Sequence, residues 1–179
     1  MKSTSLRLLL CGIGAAGFAM SLYLHVCCRL GQDMEPYLPW VYGLFGSMVA
    51  VWVPAIITAR MRSTGVGKGL PLTERKQAQL KAFIGLMPIP AWVLVVCISS
   101  YGTICMMMSM EGLSAGVPSF VDGQYQINSH GKVTVVTEAA YHAARAALVE
   151  LFSSVWMVFH GIGALMLFPF KPRHSASQG

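Results

Sequence analysis

LLLCGIGAAGFAMSLYLHVCC, residues 8–28, is an uninterrupted run of 21 residues with no Asp, Glu, Lys or Arg. A hydrocarbon core about 30 Å thick takes about 20 residues of helix, so this run is long enough to cross one. The competing reading is a secretory leader. Lys2 and Arg7 make a basic flank, and Gly17-Phe18-Ala19 is a small-x-small site of the kind a signal peptidase cuts. The apolar character continues past that site to Cys28, too far for a leader's hydrophobic segment, and no lipobox precedes Cys11 or Cys27. The run is therefore expected to stay as a first spanning helix.

Three more such runs follow. Residues 37–59 are uncharged for 23 positions, 82–110 for 29 and 151–170 for 20. Four runs of this length cannot all be the buried helices of a 179-residue water-soluble core. Composition agrees: 55% of the chain is hydrophobic and 11% charged, against about 25% charged in an ordinary soluble domain. Too little charge is present to cover a water-facing surface. The expected fold is an all-α membrane protein: a four-transmembrane-helix bundle with a small external β-hairpin cap and a long protruding fourth helix. Its spans are placed at about 8–28, 37–59, 89–110 and 148–168. The chain forms a single membrane domain over 1–179, with a basic cytoplasmic loop at 60–81 and the external cap at 111–147.

The prolines set two of these boundaries. Pro54 lies inside the second run, where it removes a helical hydrogen bond. Pro88 and Pro90 start the third span near Ile89, which leaves residues 72–86 as a helix on the membrane surface, with Thr73 as its N-cap and Glu74 in its first turn. Small residues at helical spacing, Gly12, Ala16 and Ala19 in the first span and Gly43 and Ser47 in the second, are expected to allow close helix contacts. Trp40, Tyr42, Trp52, Trp92, Tyr101 and Trp156 supply interface anchors.

Charge decides orientation. The tails and the second loop hold Lys2, Arg7, Arg60, Arg62, Lys68, Arg75, Lys76, Lys81, Lys171 and Arg173, while the other side holds Arg29, Lys132 and Arg145. The positive-inside bias puts both termini and the 60–81 loop in the cytoplasm of a bacterial inner (plasma) membrane. Asp33, Glu35, Glu111, Asp122 and Glu138 then fall outside. The net charge of +6 is an asymmetry across a bilayer and not a nucleic-acid surface. Gly65-Val66-Gly67-Lys68-Gly69 lacks the spacing and the following Ser or Thr of a phosphate-binding loop, so it reads as a turn near anionic headgroups.

In the cap, Gln124-Tyr125-Gln126-Ile127 alternates and Val133-Thr134-Val135-Val136 is β-branched. Between them Asn128-Ser129-His130-Gly131 is a four-residue turn, which makes a hairpin. Gly112 to Pro118 reads as turn. Thr137 is the N-cap of a last helix that runs from Glu138 to about Phe168, roughly ten residues of it outside the hydrocarbon. Glu138, Tyr141, His142, Arg145, Val149 and Phe152 share one face, on which the hairpin is expected to pack.

The chemistry-bearing residues are few. Glu150 sits where the last helix enters lipid, costly unless paired, and Arg29 is its expected partner. His160 lies deeper in that span. It is either functional or a neutral imidazole bonded to a backbone carbonyl. Haem needs two axial ligands at one level, and His25 and His160 are at different depths. Cys27, Cys28, Cys105 and Met106 are soft donors near the outer ends of the first and third spans, a weak set for Cu(I), and Met equally serves as an adaptable packer. Size and topology resemble the disulfide-bond-forming quinone reductases, but those carry a CxxC at the outer face and this chain has no CxxC. Polar and aromatic cap residues, Tyr125, Asn128, His130, Tyr141, His142 and Arg145, either contact a partner or brace the hairpin. With no nucleophile–base pair and no metal spacing, no cofactor is expected. The reading is a non-catalytic accessory, assembly or immunity-like subunit whose cap binds a membrane or periplasmic protein. A membrane oxidoreductase or metal-binding protein (copper, haem or quinone) is the alternative, and a small transporter the third.

Overall fold

The computed structural model describes residues 2–32, 37–63, 66, 68–85, 87–113 and 116–170, with the side chains of 2, 3, 38, 62, 63 and 112 excepted. The expectations for Asp33, Glu35, Gly65, Gly67, Leu86, Lys171 and Arg173 lie outside the described residues. The elements in chain order are α1 (Lys2–Arg29), α2 (Leu38–Ser63), α3 (Leu72–Ile84), α4 (Ile89–Gly112), β1 (Val117–Val121), β2 (Gln124–Ser129), β3 (Lys132–Val135) and α5 (Glu138–Leu167). Four of the helices are long and apolar enough to cross a membrane: α1, α2, α4 and α5.

α5 is the hub, and each core cluster is built around one of its residues. Val149 packs with Cys27 and Cys28, Trp156 with Leu24 and Leu44, and Leu167 with Val51 and Ala55. Pairings along α5 fix the helix directions. Moving from Glu150 to Ala164, its partners on α1 run backwards from Arg29 to Gly14, while those on α2 run forwards from Leu44 through Ser47 to Val51. Ser154 to Gly161 meets Gly102 and then Ile98 of α4. So α1 and α4 are antiparallel to α5, and α2 is parallel to it. The start of α1, the end of α2, the start of α4 and the end of α5 therefore share one end, and the sheet sits at the other.

The close contacts use glycines other than those the spacing singled out. A Cβ on Gly17 would collide with the His160 imidazole, and one on Gly14 would reach Ala164 at 3.0 Å, whereas Gly12 and Gly43 face open space. Of the aromatic anchors, Trp40, Tyr42 and Tyr101 are exposed, but Trp156 is core, 3% exposed. The periodic pattern marks a helix but not which way it turns against its neighbours.

The sheet is three-stranded and antiparallel, in order β1-β2-β3. The expected hairpin is its β2–β3 half; β1 is an addition, and the turn-rich stretch from Gly112 to Pro118 runs into its first two residues, Val117 and Pro118. Pro118 is tolerated because β1 is an edge strand. The β2–β3 connection is a two-residue turn and not a four-residue one. Ser129 pairs with Lys132, and His130 and Gly131 both have positive φ, at 52° and 87°. The Asp122-Gly123 turn joining β1 to β2 repeats the device, with φ of 51° and 74°.

At α5 the expected cap holds: the Thr137 hydroxyl accepts from the Ala140 N–H at 3.3 Å. At α3 it does not. Pro71 is the N-cap, no side chain caps the helix, and Thr73 lies within the first turn beside Glu74. A proline already lacks the N–H and has its φ preset, so it initiates the turn two residues earlier than the hydroxyl would.

Candidate functional site

The sheet packs on α5 through one face, and its pairing register assigns every side chain. Phe120 pairs with Tyr125, and Pro118 and Thr134 flank Ile127, so these residues share the inner face. Ile127 is buried. The Tyr125 ring packs at a tilt 5.0 Å from Tyr141 and 4.9 Å from Phe120, and its hydroxyl donates to Glu138 Oε1 at 3.0 Å. Arg145 donates to the Tyr141 hydroxyl at 2.7 Å, with its guanidinium 5.5 Å from that ring's centre, and both residues are buried. His142 is half-buried, with Nε2 at 3.7 Å from Glu138 Oε1.

This geometry divides the six cap residues. Tyr125, Tyr141 and Arg145 face each other between sheet and helix. Asn128 and His130 are exposed, and the Asn128 side-chain oxygen also accepts from the Gly131 N–H at 2.9 Å, which pins the turn. The surface left outward carries residues that the polar-and-aromatic criterion overlooked. Val117, Val121, Val133 and Val135 stand on the outer face around Gln124, Gln126, Asn128 and Ser119. Val133 is 52% and Val135 62% exposed. Their signal was in the β-branched run itself, once it is placed on a strand that has no helix behind it.

Below the sheet, the expected Arg29–Glu150 pair is formed, with Nε 2.6 Å from Oε1. That oxygen is buried and the ion pair is its one polar contact among the described residues. Next to it lies a group not anticipated from sequence. His25, 1% exposed, meets the Tyr101 hydroxyl at 3.1 Å through Nε2 and Ser154 Oγ at 3.4 Å through Nδ1, while Ser154 donates to the Glu150 carbonyl at 2.8 Å. A single tautomer satisfies all three bonds: Nδ1–H donates to Ser154, and Tyr101 donates to Nε2. The signal was the presence of His25, Tyr101 and Ser154 at one level of three apolar helices, which only packing reveals.

His160, fully buried, donates from Nδ1 to the Trp156 carbonyl at 2.8 Å and meets Ser47 Oγ at 2.9 Å through Nε2. It ties α2 to α5, with both ring nitrogens engaged. Its level differs from that of His25 by the six residues between Ser154 and His160, roughly 9 Å of helix, so the two do not face across one haem plane.

The soft donors do not converge on one point. Cys27 and Cys28 pack against Val149, Cys105 is buried, Met106 is half-buried, and Met108 Sδ lies 4.0 Å from Arg29 Nη2. Among the described residues no three His, Cys, Asp or Glu side chains are grouped to hold a metal ion. No family model, curated protein or solved structure matches this chain.

Proposed function

We propose that the chain is an integral protein of a bacterial inner membrane, crossing it four times with both termini in the cytoplasm. Its sheet, on the outside, binds a partner protein as an accessory, assembly or immunity-like subunit. Two features support the bilayer placement. The flanks of the four long helices are apolar and exposed, with Leu9 at 61%, Val96 at 61% and Met107 at 63%, a surface that water would penalise and lipid would not. Among the described residues, the basic end carries Arg7, Arg60, Lys68, Arg75, Lys76 and Lys81, against Arg29, Lys132 and Arg145 at the sheet end.

The observation that carries partner binding is the outer sheet face. Four exposed valines surround a strip of amides, and all four residues of β3 are exposed. Among the described residues, no strand pairs with the outer edge of β3. An extended segment of a partner adds to such an edge through its backbone, and the valines give it apolar contact. Tyr125, Tyr141 and Arg145 then act as the brace that holds this face rigid, and Asn128 and His130 sit at its rim.

The test is co-purification from native membranes in mild detergent. Val133→Glu with Val135→Glu is expected to release a partner that the wild-type chain retains, at an unchanged yield of the membrane-inserted protein. Retention of that partner by the double variant would refute the assignment of this face.

A further inference from the structure

At the basic end, a groove of about 430 Å³ opens between α2, α4 and α5, and nothing described above uses it. Ile162 and Met166 of α5 line it. Trp52 and Ile56 of α2, Trp92 of α4 and Phe83 of α3 complete the apolar lining, and Phe83 packs edge-on against Trp92 at 5.6 Å. The two indoles bring no free donor to the groove. Trp52 Nε1–H is committed to the Phe159 carbonyl at 2.7 Å and Trp92 Nε1–H to the Ile84 carbonyl at 2.8 Å. The interior therefore offers ring faces and alkyl groups.

Charge enters the lining at one position, Arg60. It lies eight residues after Trp52 on the same helix, roughly 12 Å along the axis. A molecule that suits both parts is an amphiphile with a tail of about that reach and an anionic head. A neutral quinone or sterol would use the apolar part and gain nothing from the cation. The mouth also lies where such an amphiphile is found. α3 alongside it exposes Leu72, Leu80 and Ile84 together with Arg75, Lys76 and Lys81, the composition of a helix lying in a headgroup layer.

We propose that this groove seats one acyl chain of an anionic phospholipid, whose phosphate lies against Arg60 with the α3 cations nearby. The site rests on the bilayer placement and is independent of the partner at the cap.

Tryptophan quenching by brominated lipids tests it in reconstituted full-length protein. The Trp40→Phe variant reports on Trp52 and Trp92, since Trp156 is buried in the core. In zwitterionic vesicles doped with brominated phosphatidylglycerol or brominated phosphatidylcholine, relative association is expected to favour the anionic lipid roughly fivefold, the worth of one interfacial cation. Adding Arg60→Gln should remove most of that preference, and filling the groove with Ile162→Phe and Met166→Phe should reduce quenching by both lipids. Equal quenching by the two lipids in Trp40→Phe, or a preference untouched by Arg60→Gln, would overturn the site. The Trp52→Phe/Trp92→Phe variant leaves the exposed Trp40 as reporter of insertion. If neither lipid quenched it, the bilayer placement itself would fail, and the groove's occupant with it.

Discussion

Arg29 and Glu150 illustrate what a single pair contributes where solvation is poor. Glu150 is the more enclosed partner, its side chain 17% exposed against 43% for Arg29, and its buried oxygen depends on that one cation. Removing the cation leaves a carboxylate in a poorly solvating place, whereas removing both charges does not. Arg29→Ala is expected to destabilise the bundle by roughly 1–3 kcal/mol, discounted because Arg29 is half exposed. Arg29→Ala with Glu150→Gln should recover most of that loss in a detergent unfolding titration. Gly17 makes the complementary case. Gly17→Ala pushes a methyl into His160 and is expected to cost about 1–3 kcal/mol of overpacking. In the His160→Ala background the same change should be nearly neutral, because the obstacle is gone, and additive losses would show that the two residues do not touch. The Arg29–Glu150 pair was legible in the sequence, since both ends of two apolar runs had to place a charge at one depth. Gly17 was not, because which glycine faces a neighbour depends on helix rotation.

At the scale of elements, the sheet owes its register to two tight turns. Asp122-Gly123 and His130-Gly131 each place two consecutive residues at positive φ, a conformation that glycine adopts without strain and a β-branched residue does not. Gly123→Val is expected to unpin β1 from β2 at a cost of about 1–2 kcal/mol, seen as faster proteolysis within 113–137 while the four long helices stay protected. Cleavage of the helices at the same rate would mean that the sheet and bundle unfold as one unit. The Asp-Gly signal stood in the sequence, but the glycines and proline just before it masked β1 as loop. The α5 N-cap at Thr137 was readable because its hydroxyl precedes a clear helical run. At α3 the proline at 71 preset the turn ahead of Thr73, a competition that composition alone does not rank.

For the whole molecule, the number and order of the four long helices were legible from four uncharged runs, each long enough to cross a hydrocarbon layer, while the helices themselves extend beyond those runs. The central position of α5 did not follow. This helix is the most enclosed of the four long helices, and its small and polar residues Ser153, Ser154, His160, Gly161 and Gly163 are all buried. That asymmetry became visible only with the helices packed. So did the outer valine face and the groove at Arg60, which bring together residues far apart along the chain.

The central claim is a bilayer crossed four times, with the sheet outside and both termini within. Paired reporters, one active only outside the membrane and one fluorescent only inside, test it most directly when inserted at Gly123, at Lys68 and after Gly179. Outside activity at Gly123 with inside fluorescence at Lys68 and Gly179 is the predicted result. Outside activity at Gly179, or release of the intact chain into buffer without detergent, would contradict it.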